Sequence, residues 1–362
     1  MAIEPQAGYF VVADLTGYTA YLSRSELEHA PTIAGDLLET IVGRLEPPFR
    51  LAKLEGDAAF LFVEDGRADG SLLLDAIEAS YLAFRRRLRS IEGATTCDCS
   101  ACSLAPRLDL KLFVHHGSYV LGRIAGRDEL AGPDVILVHR LLKGAAASAA
   151  GPNGFALLTR HAVAALGIDP GGLGLTPTRE AIEHFGEVEA FVLDLEARWQ
   201  AESGRPRLEV SPERAVLDLS VVARAEPAIV WAHLTSPSLR PLWEGPIMIE
   251  ETAAGARSGV GTTAQCVTGR LATIEEIVDW QPYDHVGWRL AVPGVGPVEA
   301  TVDLDAVDGG TRVQLRWAAR SGAPAATESI GQIVIDKRAA LERLARMLDR
   351  DVAVLEGREV AT

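Results

Sequence analysis

The sequence pattern of this 362-residue chain changes near residues 200–214, and this change divides the chain into two parts. There the apolar periodicity gives way to Glu, Ser, Gly, Pro and Arg, a composition typical of a linker. Strand-type runs alternate with helical spacing before it, and a series of short strands ends in a long amphipathic helix after it. The pattern predicts two α+β domains, 1–199 and 213–358, joined by a linker at 200–212.

The charge of the chain limits its partners. A formal net charge of -15 opposes binding to the phosphate backbone of nucleic acid and to anionic membrane surfaces. The sequence contains no uninterrupted apolar run of the roughly 18 residues that a membrane span needs. The first six residues include Glu4 and do not have the pattern of a secretory signal. We therefore expect a cytoplasmic protein that neither spans a membrane nor binds nucleic acid.

Strand-type segments organise the first domain. Residues 8–13 form an apolar run that ends at Asp14 and turns into a helix, and residues 51–63 are typical of a hairpin. The segments 108–115 and 117–124 predict a second hairpin around Gly117. Helical spacing follows each of these pairs, so we expect helices packed on a sheet.

Two aspartates stand where strands of this domain end or turn. Asp14 follows the first strand, and Asp57 lies near the tip of the first hairpin. If their strands are neighbours, the two carboxylates can bridge divalent ions, and Mg²⁺ prefers such hard oxygen ligands. The turn Leu15–Thr19 adds backbone N–H groups at the start of a helix, which favour an anion. Alternatively, Asp14 only caps a helix and Asp57 only makes a turn.

Four segments of the first domain carry a recognisable series of motifs. They are 10–19 (FVVADLTGYT), 53–57 (KLEGD), 110–117 (LKLFVHHG) with Gly122 and Gly126, and 132–135 (GPDV) with Arg140. In this order and spacing, over about residues 8–195, they resemble the motifs of class III adenylyl and guanylyl cyclases. The resemblance is greatest to a cyclase-related family of unknown function, in which the segment 138–143 (VHRLLK) and a small cysteine cluster recur.

The resemblance implies a class III cyclase fold of ferredoxin-like type, a homodimer and a nucleoside triphosphate as the partner of this domain. It implies that Asp14 and Asp57 hold Mg or Mn, that Lys53 contacts the base and that Arg140 stabilises charge on the transferring phosphate. An active enzyme would convert the triphosphate to a cyclic nucleotide and pyrophosphate. The turn residues implied in nucleotide binding are Thr16, Gly17, Tyr18 and Thr19.

Two positions depart from the cyclase pattern. Ile136 stands four residues before Arg140, where the family has a catalytic asparagine, and an isoleucine side chain forms no hydrogen bonds. Loss of an oriented polar group from such a site typically costs about 2–4 kcal/mol at the transition state, or roughly 100-fold or more in rate. The acid that selects the purine is either Asp128 or Glu129. The sequence thus leaves open both the nucleotide and whether the site turns over.

Three cysteines, Cys97, Cys99 and Cys102, form a Cys-x-Cys-x-x-Cys motif before the strand at residue 108. A structural zinc site needs four thiolate or imidazole ligands, and His115, His116 or a partner subunit are candidates for the fourth. The alternative is a set of reduced thiols on an exposed loop. Adjacent residues of a strand point to opposite faces, so we expect only one of these two histidines to be buried.

The second domain has the chain order of a START-like domain: a helical segment, six or seven strands and a closing helix. The segment 225–231 (AEPAIVW), together with a later tryptophan, resembles the opening of that superfamily, also called polyketide cyclase/dehydrase. The resemblance implies a helix-grip fold with an apolar cavity for a hydrophobic small molecule or lipid. His233, His285 and Glu244 are candidate polar contacts. The candidate wall residues are Trp231, Trp243, Trp288, Trp317 and Met347.

Two functions are compatible with this organisation. The first is a cytoplasmic signalling protein whose cyclase-like domain binds a metal–nucleotide and whose START-like domain senses a hydrophobic molecule. The second is a non-catalytic ligand-binding or carrier protein of the polyketide cyclase or lipid transport type, in which Ile136 marks a lost activity.

Overall fold

A computed structural model describes residues 4–25, 29–94, 99–144, 154–269, 271–320 and 327–355. The chain divides into two compact units, Met1–Arg205 and Pro206–Thr362, and the boundary between them falls within residues 200–212. Both units combine helices with a sheet, which confirms the α+β class predicted from the sequence. None of the helices in these described ranges is both long and apolar enough to cross a membrane.

The N-terminal unit is built from eight strands with helices between them. Its strands are β1 (Gln6–Thr16), β2 (Arg50–Glu55), β3 (Ala58–Glu64), β4 (Asp109–Ile124), β5 (Arg127–Ala131), β6 (Phe155–Thr159), β7 (Thr176–Ile182) and β8 (Gly186–Asp194). Its helices are α1 (Tyr18–Arg24), α2 (Ala30–Leu45), α3 (Gly70–Ala94), α4 (Ser100–Leu104), α5 (Pro133–Leu141), α6 (Arg160–Leu166) and α7 (Leu195–Gly204).

The sheet of this unit has a ferredoxin-like core. Its strand order is β2-β3-β1-β4-β6-β8-β7, and β1 pairs antiparallel with both β3 and β4. The first four strands and their intervening helices therefore form a βαββαβ unit with β1 at the centre. A central strand buried on both faces needs a continuous apolar run, and β1 supplies one from Tyr9 to Ala13. This arrangement brings the carboxyl end of β1 beside the β2–β3 turn.

The predicted hairpin around Gly117 is wrong. Strand β4 continues without a turn from Asp109 to Ile124, pairing with β1 in its first part and with β5 in its second. Gly117 is needed for close approach instead, because a Cβ there would lie 2.3 Å from the side chain of Asp134 at the start of α5. A glycine inside a strand can mark a site where another part of the chain approaches closely.

The C-terminal unit contains a seven-stranded sheet and a long closing helix. Its strands are β9 (Leu217–Ala223), β10 (Met248–Thr252), β11 (Thr263–Thr268), β12 (Leu271–Gln281), β13 (His285–Val292), β14 (Gly296–Val307) and β15 (Gly310–Ala319). Its helices are α8 (Pro227–Thr235), α9 (Arg240–Glu244) and α10 (Thr327–Leu355).

All neighbouring strands of this second sheet are antiparallel, in the order β10-β11-β12-β13-β14-β15-β9. Helix α10 contacts β9 and α9 and buries one apolar face, formed by Ala340, Leu341, Leu344 and Leu348. A curved antiparallel sheet closed by an amphipathic helix confirms the helix-grip architecture expected from the sequence.

Candidate functional sites

The two predicted metal ligands meet at the carboxyl end of β1. Asp14 lies opposite Ala58 in the β1–β3 ladder, and Asp57 directly precedes Ala58 in the β2–β3 turn. The N–H of Leu15 donates a hydrogen bond to the backbone oxygen of Asp57 over 3.1 Å, which ties the turn to the end of β1. The two aspartates therefore lie at the ends of neighbouring strands, which meets the condition for a shared site.

The electrostatics of this pair show that the two carboxyl groups interact. Burial and the charge of Asp57 raise the pKa of Asp14 from 3.8 to about 6, while Lys111 acts in the opposite direction. Lys111 is the cross-strand neighbour of Asp14 on β4, so its side chain emerges on the same face of the sheet. Two half-buried carboxylates repel each other when both are charged, and a cation between them would offset this repulsion.

The loop after Asp14 has the geometry of a tight strand-to-helix turn. Gly17 adopts φ 88°, a left-handed conformation that glycine reaches without strain, and α1 begins at Tyr18. Tyr21 N–H donates to Gly17 O, so the N–H groups of Tyr18, Thr19 and the next residue precede the first helical bond. The hydroxyl of Thr16 is buried and has no hydrogen-bond partner among the described residues.

The residues at this end of β1 fit a divalent cation. Asp14 and Asp57 offer hard carboxylate oxygens, the donor type that Mg²⁺ and Mn²⁺ take in proteins. The Thr16 hydroxyl, which has no hydrogen-bond partner in the described ranges, adds a polar group that a hydrated ion or a phosphate oxygen can satisfy. These two aspartates would hold the ion, which would neutralise the charge of bound phosphate.

Lys53 contacts two acidic side chains, and one of them is a candidate for the acid that selects the purine. Its Nζ lies 2.9 Å from Glu55 Oε1 and 3.1 Å from Glu129 Oε1, so Glu129, not Asp128, is its partner. Hydrogen bonding to Glu55, opposed by burial, raises the pKa of Lys53, with Glu129 acting in the same direction as Glu55. Lys53 is the cross-strand neighbour of Phe60, which places it on the same sheet face as Val12 and Asp14.

Arg140 pairs with an acid other than the two aspartates. Its Nη1 is 3.0 Å from Glu183 Oε2, with 41% of its side chain exposed, and no hydrogen bond or ion pair joins it to Asp14 or Asp57 within the described part of the chain. Ile136, one turn earlier on α5, is 53% exposed. Within the described residues, Arg140 thus makes no direct polar contact with the predicted metal ligands of its own chain, and the exposed Ile136 adds no polar group.

The cysteine segment meets a histidine that sequence reasoning missed. Cys97 lies outside the described residues. One ligand atom from each of His29, Cys99 and Cys102 lies within 4.8 Å of the others. His29 is 70 positions from Cys99, a separation that gives no local signal of contact.

The two histidines proposed as zinc ligands have other partners. His115 is 2% exposed and hydrogen-bonds Thr159 and Asp134, whereas His116 is partly exposed and lies 2.9 Å from Asp65. Burial lowers the pKa of His115, against the effect of Asp134. The prediction that only one of the pair is buried is confirmed, and neither belongs to the cysteine cluster.

The sheet of the C-terminal unit and helix α10 enclose a cavity. The cavity has a volume of about 480 Å³ when the space at its open mouth is included. The centres of water molecules can occupy about 50 Å³ of this space. Such a space suits a small molecule better than a long acyl chain. The apolar residues that line it are Leu234, Trp243, Trp288, Leu290, Ala300, Val302, Leu315, Trp317 and Leu341.

Three of the five predicted wall residues, Trp243, Trp288 and Trp317, line this cavity. Trp231 is fully buried and packs edge-to-face against Trp280, with ring centroids 4.7 Å apart, so it belongs to the core. Met347 is half-buried on α10 and does not line the cavity.

A charged cluster of four residues, Arg240, Glu244, Glu275 and Lys337, forms the polar wall of the cavity. Arg240 donates two hydrogen bonds to Glu275, at 2.7 and 3.1 Å, and one to Glu244 at 2.8 Å. Lys337 Nζ donates to Glu244 at 3.1 Å. Although burial acts to raise it, the two cations lower the pKa of Glu244 to about 2.

Of the predicted polar contacts, only Glu244 lines the cavity. His233 bonds the carbonyl of Ile229 on its own helix. His285 is 1% exposed and lies between Asp303, at 2.8 Å, and Asp279, at 3.4 Å. Although burial opposes it, these two carboxylates raise the pKa of His285.

Comparison with known families distinguishes the two units. Residues 34–150 match a family described as a protein of unknown function (DUF2652). Residues 214–349 match the family described as polyketide cyclase / dehydrase and lipid transport. An uncharacterized protein of Mycobacterium tuberculosis is 38% identical over 107 residues, which are 30% of this chain and 50% of that protein. The chain thus spans about half the length of this curated relative.

Solved structures similar to this chain include an adenylyl cyclase and a guanylyl cyclase. The adenylyl cyclase CyaB from P. aeruginosa is 15% identical with a TM-score of 0.39, covering 54% of this chain and 97% of its own. The guanylyl cyclase Cya2 is 14% identical with a TM-score of 0.39, covering 53% and 93%.

The Aha1 dimer from Colwellia psychrerythraea is 16% identical to this chain with a TM-score of 0.31, covering 37% of this chain and 95% of its own. The topology described above and the family match agree for the C-terminal unit. That unit is a START-like domain of the polyketide cyclase/dehydrase type.

Proposed function

We propose that the N-terminal unit binds a nucleoside triphosphate together with Mg²⁺ or Mn²⁺, held by Asp14 and Asp57. The observation that carries the proposal is the junction of these two acids at the end of β1, where burial and the neighbouring charge raise the pKa of Asp14 to about 6. A carboxyl group whose ionised form is disfavoured in this way is more typical of a ligand site than of a structural turn.

The pair formed by Lys53 and Glu129 supports recognition of a base. The ammonium group donates hydrogen bonds and the carboxylate accepts them, so together they match a base edge that offers an acceptor beside a donor. The two side chains are partly exposed, at 37% and 39%, and thus accessible to a ligand. Lys53 lies on the same sheet face as Asp14, which supports a site in which base and phosphate bind to one surface.

The proposed form of the protein is a cytoplasmic homodimer that acts in signalling. Among the described residues of its own chain, Arg140 pairs with Glu183 and not with Asp14 or Asp57. A site completed by the arginine of a second chain is the arrangement that the cyclase resemblance implies. Ile136 provides no hydrogen bond beside this arginine, which favours binding with weak or absent turnover.

The test of this proposal measures product formation. The purified protein is incubated with Mg²⁺ or Mn²⁺ and each nucleoside triphosphate in turn, and cyclic nucleotide is quantified by mass spectrometry. Product that disappears in Asp57→Asn, a variant that keeps the shape of the side chain, supports a cyclase. Nucleotide binding without product supports a non-catalytic site, and the absence of both contradicts the proposal.

We further propose that the C-terminal unit binds a small apolar molecule carrying one acceptor oxygen. Three tryptophans supply the apolar wall, and Lys337 donates only one side-chain hydrogen bond, to Glu244, within the described residues. The remaining ammonium protons can meet the oxygen of a ligand. This proposal is also compatible with the alternative function, in which the protein is a carrier and binds its ligand in the cavity of the C-terminal unit.

Binding in the cavity of the C-terminal unit is tested with the dye 1-anilinonaphthalene-8-sulfonate, an aromatic anion. Ala300 is 2% exposed and lines the cavity, so Ala300→Leu should fill it and weaken dye binding. Ala306→Leu makes the same change at an exposed position of the same strand and should leave binding unchanged. Equal effects of the two substitutions would contradict binding in the cavity.

A further inference from the structure

We propose that His29, Cys99 and Cys102 bind a zinc ion that joins helix α2 to helix α4. The three residues come from two distant stretches of the chain. His29 is the residue that precedes α2, Cys99 is the N-cap of α4, and Cys102 lies within α4. Helix α4 packs against α1, α2 and α3, and these contacts bring the two stretches together.

The distances between the ligand atoms suit one tetrahedral metal ion. Nδ1 of His29 lies 3.3 Å from Sγ of Cys99, and all three ligand atoms lie within 4.8 Å of one another. Zinc binds sulfur at about 2.3 Å and imidazole nitrogen at about 2.0–2.1 Å, which places tetrahedral ligand atoms roughly 3.3–3.8 Å apart. Small side-chain rotations bring the observed group into that range.

The donor set selects a soft or borderline metal. Sulfur and imidazole nitrogen are the donors that zinc takes in proteins, whereas Mg²⁺ prefers oxygen. These three side chains leave the fourth tetrahedral position to a water molecule. The N–H of Cys102 donates to Sγ of Cys99 over 3.4 Å, and such a donor stabilises the negative charge of a thiolate ligand. His29 is exposed and both cysteines are half-buried, so an ion can enter from solvent.

Cys266, the cysteine of the C-terminal unit, differs from Cys99 and Cys102 in its exposure to solvent and in the chemistry of its thiol. It is 3% exposed, and burial raises the pKa of its thiol to about 12. A thiol that stays protonated at neutral pH is a poor metal ligand. Cys266 therefore provides a matched control for the cysteine substitutions.

The position of the site gives the ion a structural role. The chain continues from α4 to Arg107, whose backbone oxygen lies 3.7 Å from the place where a Cβ on Gly17 would stand. Gly17 belongs to the turn that follows Asp14. A metal that fixes α4 against the start of α2 would thus hold the segment that supports this turn.

The experiment begins with the unsubstituted full chain, so that it does not depend on a variant folding. Zinc is removed with a chelator, one equivalent of Co²⁺ is added, and the absorption spectrum is recorded. We expect thiolate-to-cobalt charge transfer in the near ultraviolet and the visible bands of tetrahedral cobalt. Oxygen ligands at Asp14 and Asp57 produce no thiolate band, so the spectrum separates this site from the proposed nucleotide site.

Zinc content is then compared between variants by elemental mass spectrometry. We expect about one zinc per chain in the unsubstituted protein and in the controls Cys266→Ala and His116→Gln, and a loss of at least half in His29→Gln and in the double variant Cys99→Ala/Cys102→Ala. The proposal is overturned if Co²⁺ gives no thiolate band, or if the zinc content of the His29 and cysteine variants equals that of the controls.

Discussion

At the scale of single residues, Asp14 combines a cost to stability with a candidate function. Its pKa of about 6 exceeds the unfolded value of 3.8, so its charged form is less stable in the folded protein. A shift of about two pKa units corresponds to ~3 kcal/mol, which partial exposure to solvent reduces to about 1–2 kcal/mol. We expect Asp14→Asn to raise the free energy of unfolding of the N-terminal unit by this amount at pH 7.5 and to abolish metal–nucleotide binding.

The stabilising effect of Asp14→Asn should depend on pH, because the effect arises from the charge of Asp14. Between about pH 4 and about pH 6 the folded state binds more protons at Asp14 than the unfolded state, so this residue lowers stability as pH rises through that window. The advantage of Asp14→Asn should therefore grow from about pH 4 to about pH 6 and be absent below it. Urea unfolding followed by circular dichroism at several pH values measures it, and a pH-independent difference would refute the assignment.

Lys53 should act on nucleotide affinity alone. Hydrogen bonds to a charged group contribute about 1.5–3 kcal/mol, so Lys53→Met should weaken nucleoside triphosphate binding roughly 10- to 100-fold. Because Lys53 pairs with Glu55 and Glu129 and not with Asp14 or Asp57 in the described part of the chain, binding of Mn²⁺ alone should not change. Isothermal calorimetry measures both affinities. Arg50→Met, an exposed position of the same strand, is the control that should leave both unchanged.

At the scale of secondary-structure elements, the cluster around Arg240 joins α9 to β12 and α10. Arg240 is 9% exposed and satisfies both Glu244 and Glu275. Removal of one partner from a buried ion pair costs about 3–5 kcal/mol, because the remaining charge loses its compensation. We expect Arg240→Met to destabilise the C-terminal unit by that amount, as measured in denaturant by tryptophan fluorescence. Five of the six tryptophans lie in this unit.

The double variant Arg240→Met/Glu275→Leu distinguishes a lost ion pair from lost packing. It removes both members of the closest pair and leaves Glu244 with Lys337, 3.1 Å away. Replacement of a buried pair by apolar groups of similar size is often close to neutral. Recovery of most of the stability is therefore expected, and a loss as large as that of the single variant would contradict the electrostatic explanation.

Most elements follow from local patterns, and the exceptions have physical causes. Strand β1 was predictable from its continuous apolar run, and helix α10 from apolar residues at helical spacing. Strand β7 gave little signal, since its sequence TPTREAI includes a proline and two charged residues at the edge of the sheet. The supposed turn at Gly117 was misread because a glycine required for close packing looks the same in sequence as a turn glycine.

The candidate sites were predictable only where neighbouring strands carry them. Asp14 and Asp57 end or divide strands that pair directly, so their approach follows from the topology. His29 and Cys99 meet through the packing of short helices, and Arg240 meets Glu275 across the unit, 35 residues along the chain. Such contacts have no period and no motif, and only the tertiary structure reveals them.

At the scale of the whole molecule, we propose that the nucleotide site is shared by two chains. Arg140 is bound to Glu183 and not to the aspartate pair of its own chain. A ligand that binds across an interface favours the associated state by mass action. In sedimentation velocity we expect a species of twice the chain mass whose fraction rises on addition of Mn²⁺ and nucleoside triphosphate. A monomer at every concentration, with or without nucleotide, would contradict a shared site.

The most direct test of the account is the calorimetric titration of Mn²⁺ with adenosine or guanosine triphosphate into the full chain and into Asp14→Ala. The meeting of Asp14 and Asp57 at the end of β1 predicts saturable binding by the unsubstituted protein and none by the variant. Equal binding by both proteins, or no binding by either, would contradict a metal–nucleotide site at this pair.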